Sequence, residues 1–198
     1  MIPGPAFPAR LLDVIEQDIV PLTREGVRKG NKVFGAAVLA KADLSVVVAE
    51  TNNEIENPLW HGEMHALKRF YELPKARRPD TPDCILLSTH EPCSLCLSAI
   101  TWAGFDAFCY LFGYAQTRDD FAIPHDLRIL EDVFGVKNGN YARKNAYWTS
   151  YAIPALAEAL ADADRAALLA RIDELAGIYA ELSATYQRAR GASAIPLA

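Results

Sequence analysis

The chain of 198 residues is 51% apolar and 23% charged, with a formal net charge of -5. That balance builds a core and excludes intrinsic disorder, while the acidic surplus disfavours a nucleic acid partner, whose binding rests on clustered Lys and Arg. No apolar run approaches the roughly 18 residues that cross a bilayer, and the opening MIPGPAFPARLLDVIEQ lacks the basic-then-apolar order of a signal peptide, so a cytoplasmic protein without membrane contact is expected.

In chain order, PARLLDVIEQDIVPLTREGVRKG spaces Leu12, Ile15, Ile19 and Leu22 along one helical face, with a kink or break expected at Pro21 and a stop at Gly30. KVFGAAVLAKADLSVVVAETNN then reads as a hairpin turning at KAD. A helix over 61–73 follows, with Met64, Leu67 and Tyr71 as its expected buried stripe, and DCILLST at 83–89 reads as a short buried strand. CSLCLSAITWAG is helical again, closed by Gly104, and FDAFCYLFGY at 105–114 is a further strand. Helix, strand, helix, strand after a hairpin predicts an α/β layer with parallel strands at its centre.

Beyond residue 115, turn signals surround one short helix from Leu127 to Val133. The stretch from Ala155 to Arg188 is almost free of helix breakers, and Leu168, Ile172, Leu175, Tyr179 and Leu182 recur at helical spacing. Two packed helices are expected there, as a cap on the core or as a subunit surface. The organisation expected is one domain over 1–198, with a motif-bearing core over 8–115 and a C-terminal helical extension over 150–190.

Four cysteines in a chain of this length do not make a disulfide framework, and a closely spaced thiol pair is more often metal-binding or catalytic. Pro92 marks a helix start at Cys93, so Cys93 and Cys96 project from one face of a helix N-terminus, where the dipole and unpaired amides favour thiolate. His61, in WHGEMHALKRF, begins a helix of its own. Two thiolates and one imidazole would hold a tetrahedral zinc ion with one position open, which is the arrangement of a catalytic centre. Glu63 lies two residues beyond His61, placed to move protons without binding the metal.

HGE followed by PCSLC resembles the zinc deaminase pattern His-x-Glu and Pro-Cys-x-x-Cys. The chain is similar over residues 8–115 to the cytidine deaminase-like superfamily, in the branch of guanine, cytosine and tRNA adenosine deaminases. HGEMHAL resembles that branch's His-Ala-Glu helix start, and STHEPCSLCLSAI its Thr-x-Glu-Pro-Cys-x-x-Cys segment. The resemblance implies a three-layer α/β/α sandwich with a central mixed sheet, plus the C-terminal helical extension. It implies Zn2+ held by His61, Cys93 and Cys96, with Glu63 as the catalytic proton carrier, and a homodimer or larger assembly. AETNNEI is similar to a strand end whose asparagine contacts the ring, which assigns Asn53, with Asn52 as the competing choice; His90 is a further candidate for the pocket. The activity implied is hydrolytic release of ammonia from a small amino-substituted nucleobase or related heterocycle. A tRNA substrate and a non-catalytic zinc domain are the alternatives.

Other readings of the same residues compete. A structural zinc knot would need a second Cys-x-x-Cys, and a redox pair a thioredoxin-like context. A His-Glu-x-x-His protease would have glutamate directly after His61, where Gly62 stands instead of the family's commoner alanine. His65 is assigned to packing or an outer shell, with a fourth ligand as the alternative, and Glu91 to orienting the turn. Trp60, Trp102 and Phe121 are either core or ring-stacking aromatics.

Overall fold

A proline placed inside a helix shapes the first layer of the molecule. The computed structural model describes residues 4–192 and 195–197. Helix α1 (Ala6–Val14), a wide π turn (Ile15–Ile19) and α2 (Val20–Arg28) run on without a break. Pro21 has no N–H to offer the carbonyl four residues earlier, and a preceding turn widened to i→i+5 bonding accommodates that loss. The wide turn also rotates the apolar face. Ile15 and Ile19 are buried as expected, but Leu22 is 37% exposed, and Val20, Thr23 and Val27 are buried in its stead. Gly30 ends the run with φ +98°, a conformation that favours glycine.

The hairpin forms as expected from β1 (Gly35–Ala40) and β2 (Val46–Thr51), antiparallel with an irregularity at Val38/Leu39. Helix α3 (Gly62–Glu72) leads to β3 (Cys84–His90), and α4 (Ser94–Trp102) to β4 (Ala107–Phe112). After them come α5 (Tyr114–Asp119), α6 (His125–Phe134), β5 (Thr149–Ala152), α7 (Ile153–Glu158) and α8 (Asp162–Ala189). The sheet order is β2-β1-β3-β4-β5. β1 lies antiparallel to β3, whereas β3, β4 and β5 run parallel, so the central mixed sheet is present, with parallel pairing from its middle strand to the β5 edge.

Both faces of the sheet are covered, which is why its inner strands read as unbroken apolar runs. Ala37, Leu39, Ile85, Leu87, Cys109 and Leu111 face α1, α2, α7 and α8; Val38, Leu86, Phe108 and Tyr110 face α3 and α4. The three layers are the α/β/α sandwich expected from the sequence. Leu168, Ile172, Leu175, Tyr179 and Leu182 of α8 belong to the same core as Leu11 and Ile15. Arg171 pins α8 to α1 and the π turn through Asp13 (2.7 Å) and Glu16 (2.8 Å). The C-terminal helices thus cap the core, and their apolar stripe is spent on it.

Four further elements depart from expectation. In α3 the buried residues are Ala66, Leu67 and Phe70, while Tyr71 is 47% exposed. Glu63 is buried in the first turn, and Ala66, Leu67 and Phe70 continue its face at three- and four-residue steps, so Tyr71 is carried to the outside. β5 and α5 lie where the sequence shows only turn signals, and α6 extends past both ends expected for it. β5 has four residues, all half-buried, too few to show a strand period.

Candidate zinc centre

Two helix starts converge on one point. His61 and Cys93 are the residues immediately before α3 and α4, each with extended backbone (ψ 162° and 171°), and their side chains turn toward each other. Cys93 Sγ lies 3.4 Å from His61 Nδ1 and 3.5 Å from Cys96 Sγ, and Cys96 Sγ lies 3.8 Å from His61 Nδ1. A tetrahedral ion with Zn–S of about 2.3 Å and Zn–N of about 2.0–2.1 Å sets its ligand atoms roughly 3.6–3.8 Å apart. The three side chains therefore fit a zinc ion at three corners of a tetrahedron, and they form the one such cluster among the described residues. His65 stands outside it. Its Nδ1 donates to the Thr51 carbonyl (2.9 Å), and its ring stacks on Trp60.

Glu63 sits beside the cluster, 4% exposed. The Ser88 hydroxyl donates to its Oε1 (3.0 Å), and the Cys96 thiol faces its Oε2 (3.3 Å). Burial, and then the negative charge of Cys93, raise its carboxyl above the ordinary range. A carboxylate raised in this way is a stronger base than an exposed one. Cys93 is held well below the usual thiol range, first by hydrogen bonding from Cys96 and then by His61, against the opposing effect of burial. For His61 burial acts downward, but the Cys93 sulfur with Glu63 and Glu54 outweighs it and raises the imidazole to about 9.

The loop between β2 and α3 turns the side chains of Asn52 and Asn53 in different directions. That side chain donates to Glu56 (2.6 Å) on the exposed loop. Asn52 is 1% exposed; its Oδ1 accepts from the Gly62 amide (2.5 Å) and its Nδ2 donates to Glu54 Oε2 (2.8 Å). The competing choice is the one turned toward the helix start. His90 is also displaced from its expected place. It is 2% exposed, and Phe34, Phe112, Phe121 and Tyr179 surround its ring at centroid distances of 4.7–5.4 Å. Regular alternation would set His90 with Leu86 and Ser88 on the α3 side, but at the end of β3 its ring lies instead against Phe121 and Tyr179 on the side of the α8 layer.

That burial holds His90 at about 3, below its ordinary 6.5. Because the folded chain keeps the imidazole neutral while the unfolded chain protonates it, the stability this gives is fully present above pH 6.5 and is lost as pH falls toward 3. Between pH 7 and 4.5 the loss expected from this group is about 2–3 kcal/mol. Urea unfolding at both pH values should show it in the wild type and not in His90→Phe; an equal acid loss in both proteins would refute it.

The cluster opens on a cavity of about 320 Å³. His61, Cys93, Ser94 and Leu95 form its floor, and Phe34, Leu59, Ile123 and Ile129 give it apolar walls. Its polar groups are Lys32, Glu54, His125 and Asp126. Asp126, on α6, has a carboxyl pushed well above the ordinary range by burial and by Cys93. Sequence reasoning missed Lys32, Glu54 and Asp126, because nothing in their local spacing reports that three distant segments meet here. Trp102 is 91% exposed and Phe121 lies in the core, so neither faces this cavity. Glu91 orients the turn before Cys93 by accepting from Arg143 (2.8 Å), Tyr141 (2.9 Å) and the Tyr114 amide (3.2 Å).

Gly62 is fixed by packing. A Cβ there would stand 2.7 Å from Gly35 Cα and 2.9 Å from Gly35 N, because the start of α3 lies directly on the start of β1. Gly62→Ala should cost about 1–3 kcal/mol as an overpacked contact and weaken zinc retention, since His61 and Glu63 flank it. Chemical denaturation together with zinc content checks this, and unchanged values of both would contradict the contact.

With the fold and cluster described, their class can be stated. Residues 17–112, just under half of the chain, match the family model of the cytidine and deoxycytidylate deaminase zinc-binding region. Among individual relatives, guanine deaminase of Bacillus subtilis (strain 168) is 35% identical over 95 residues, or 46% of this chain and 58% of that protein. The chain thus matches less than two thirds of that curated relative. A solved structure of the protein NE0047 in complex with 2,6-diaminopurine has 18% identity and a TM-score of 0.52, covering 98% of this chain and 86% of the other. It shows the shared fold. The solved structure of the Bacillus subtilis guanine deaminase has 25% identity and a TM-score of 0.44 over 68% of this chain and 98% of its own.

Proposed function

We propose that the chain is a zinc-dependent hydrolase that releases ammonia from an amino-substituted nucleobase or related nitrogen heterocycle. The observation that carries this reading is a buried glutamate, Glu63, against a three-ligand zinc geometry at the floor of a cavity. A structural zinc site has no use for such a carboxylate. The relative named as a guanine deaminase supports a free base as the substrate.

In this reading His61 Nδ1, Cys93 Sγ and Cys96 Sγ hold the ion. Zinc, when bound, supplies Lewis acidity that brings the pKa of water from 15.7 to about 7. Glu63 takes a proton from the attacking water and delivers it to a ring nitrogen as oxygen adds to the amine-bearing carbon. The same carboxylate then takes the second proton, from the added hydroxyl, and passes it to the amine as the C–N bond breaks and the carbonyl forms, so one water is consumed, and one ammonia and one oxo-heterocycle are released. Ser88 holds the Glu63 carboxylate in place through its hydroxyl. Asn52, rather than Asn53, is the asparagine of the site; one N–H of its amide goes to Glu54, its second N–H serves a ring acceptor, and its oxygen stays on Gly62. The cavity lies at the low end of the roughly 300–1,000 Å³ usual for small-molecule pockets, which suits a base without its sugar.

We further propose a single-domain, cytoplasmic homodimer. Among the described residues no helix is long and apolar enough to cross a membrane, and Trp102, Val133 and Phe134 leave large apolar side chains on the surface for a partner subunit. The deciding experiment is ammonia release by zinc-loaded protein from cytosine, guanine, adenine, their nucleosides and aminated pterins or triazines. Release from at least one base supports the reading. None from any compound, with one zinc bound per chain, would sink it.

A further inference from the structure

The cavity wall carries a buried ion pair that the chemistry above does not use. Lys32 Nζ donates to Glu54 Oε1 at 2.7 Å, and the two side chains are only 7% and 1% exposed. Burying such a pair gains little stability over apolar residues of similar volume, so its position needs another reason. Glu54 has no capacity to spare: Oε1 accepts from Lys32, and Oε2 accepts from Asn52 (2.8 Å) and from the Lys32 amide (3.4 Å). The ammonium differs. It has three N–H donors, and Glu54 is its one hydrogen-bond partner among the described residues. A buried donor left unmade is costly. Phe34 and Ile123 beside it offer no side-chain acceptor, and Asp126 and His125 share the cavity without a hydrogen bond to Lys32 among the described residues, so the remaining donors are directed at whatever fills the cavity.

Resting on the proposed deaminase reading, we propose that Lys32 determines specificity by donating to an oxygen acceptor on the substrate ring. The chain then selects amino-oxo heterocycles over analogues carrying amino groups alone. Glu54 holds the ammonium in place and, through Asn52 and the Gly62 amide, ties it to the start of the helix that bears Glu63. An amino group at the position of the oxygen would bring its own N–H donors against the ammonium. Sites built to pair one polar group reject analogues that lack it far more strongly than apolar pockets reject a change of shape.

The test uses two pairs of ligands that differ only by oxo against amino: guanine with 2,6-diaminopurine, and cytosine with 2,4-diaminopyrimidine. Binding is measured by calorimetry on zinc-loaded Glu63→Gln protein, so that no turnover intervenes, with and without Lys32→Met/Glu54→Gln. The double substitution removes both charges together, so no unpaired carboxylate remains to unfold the chain, and melting curves confirm the fold. With Lys32 present, the oxo member of at least one pair should bind about 10-fold or more tightly than its amino partner, and the double variant should abolish that preference. A preference that survives the double substitution overturns the inference, as does equal binding of both members by the protein with Lys32, or no binding of any of them. Ammonia release by protein with intact Glu63 is scored separately. Selective binding without release would overturn the deaminase reading while leaving the role of Lys32 standing.

Discussion

Glu63→Gln is expected to lower kcat for ammonia release by about 10²–10⁴-fold, the range over which a positioned acid-base group acts, while zinc stays bound. The amide has the shape of the carboxyl, so it fills the same buried space and can still accept from Ser88. What it cannot do is take a proton from water and return it to nitrogen. Three residues supply the metal geometry without Glu63, so metal analysis should still find one zinc per chain. KM should change far less than kcat, because the carboxylate acts on proton transfer rather than on the standing ring. If the glutamine variant kept activity within about threefold of wild type, proton transfer by this residue would be wrong. If zinc were lost as well, Glu63 would have to be counted among the groups that shape the metal site.

Much of this site could be read before the structure, because its parts are local in sequence. Gly62 and Glu63 follow His61 at a helix start, and Cys96 follows Cys93 at another, so spacing within one turn reports their common direction. The fold was legible for a related reason: β3 and β4 are buried on both sides and appear as plain apolar runs. What could not be read depends on how distant segments meet. Asn52 and Asn53 are neighbours with the same side chain, and only the path of the loop to Trp60 decides which faces Gly62. His90 adjoins the Glu-Pro-Cys turn in sequence, yet at the end of β3 it leaves the face that Leu86 and Ser88 share and packs against Tyr179 in the opposite layer. Lys32, Glu54 and Asp126 come from three separate segments and share a cavity without sharing a motif. Leu22 was misplaced for a subtler reason, since the wide turn before Pro21 adds a residue that a regular 3.6 period does not count.

Cys96→Ser should remove zinc and, with it, all measurable deamination. Cys96 is fully buried, with its sulfur 3.5 Å from Cys93 and 3.8 Å from His61. A serine hydroxyl is shorter in reach and does not ionise near neutrality, so the ion would keep two ligands where three had held it. Losing an outer-shell partner already costs about 10–100-fold in metal affinity, and losing a ligand should cost more. The rest of the core does not depend on the ion. The α8 layer packs on the far side of the sheet from α3 and α4, so the serine protein should remain folded. Two melting experiments then separate loss of metal from general damage. A ligand that binds only the folded state stabilises it by mass action, so chelation should lower the melting temperature of zinc-loaded wild type. The same chelator should leave Cys96→Ser unchanged, at or near the metal-free wild-type value. A serine variant that melts far below metal-free wild type would instead assign Cys96 a packing role, and one that still responds to chelator would show that Cys96 is not a ligand.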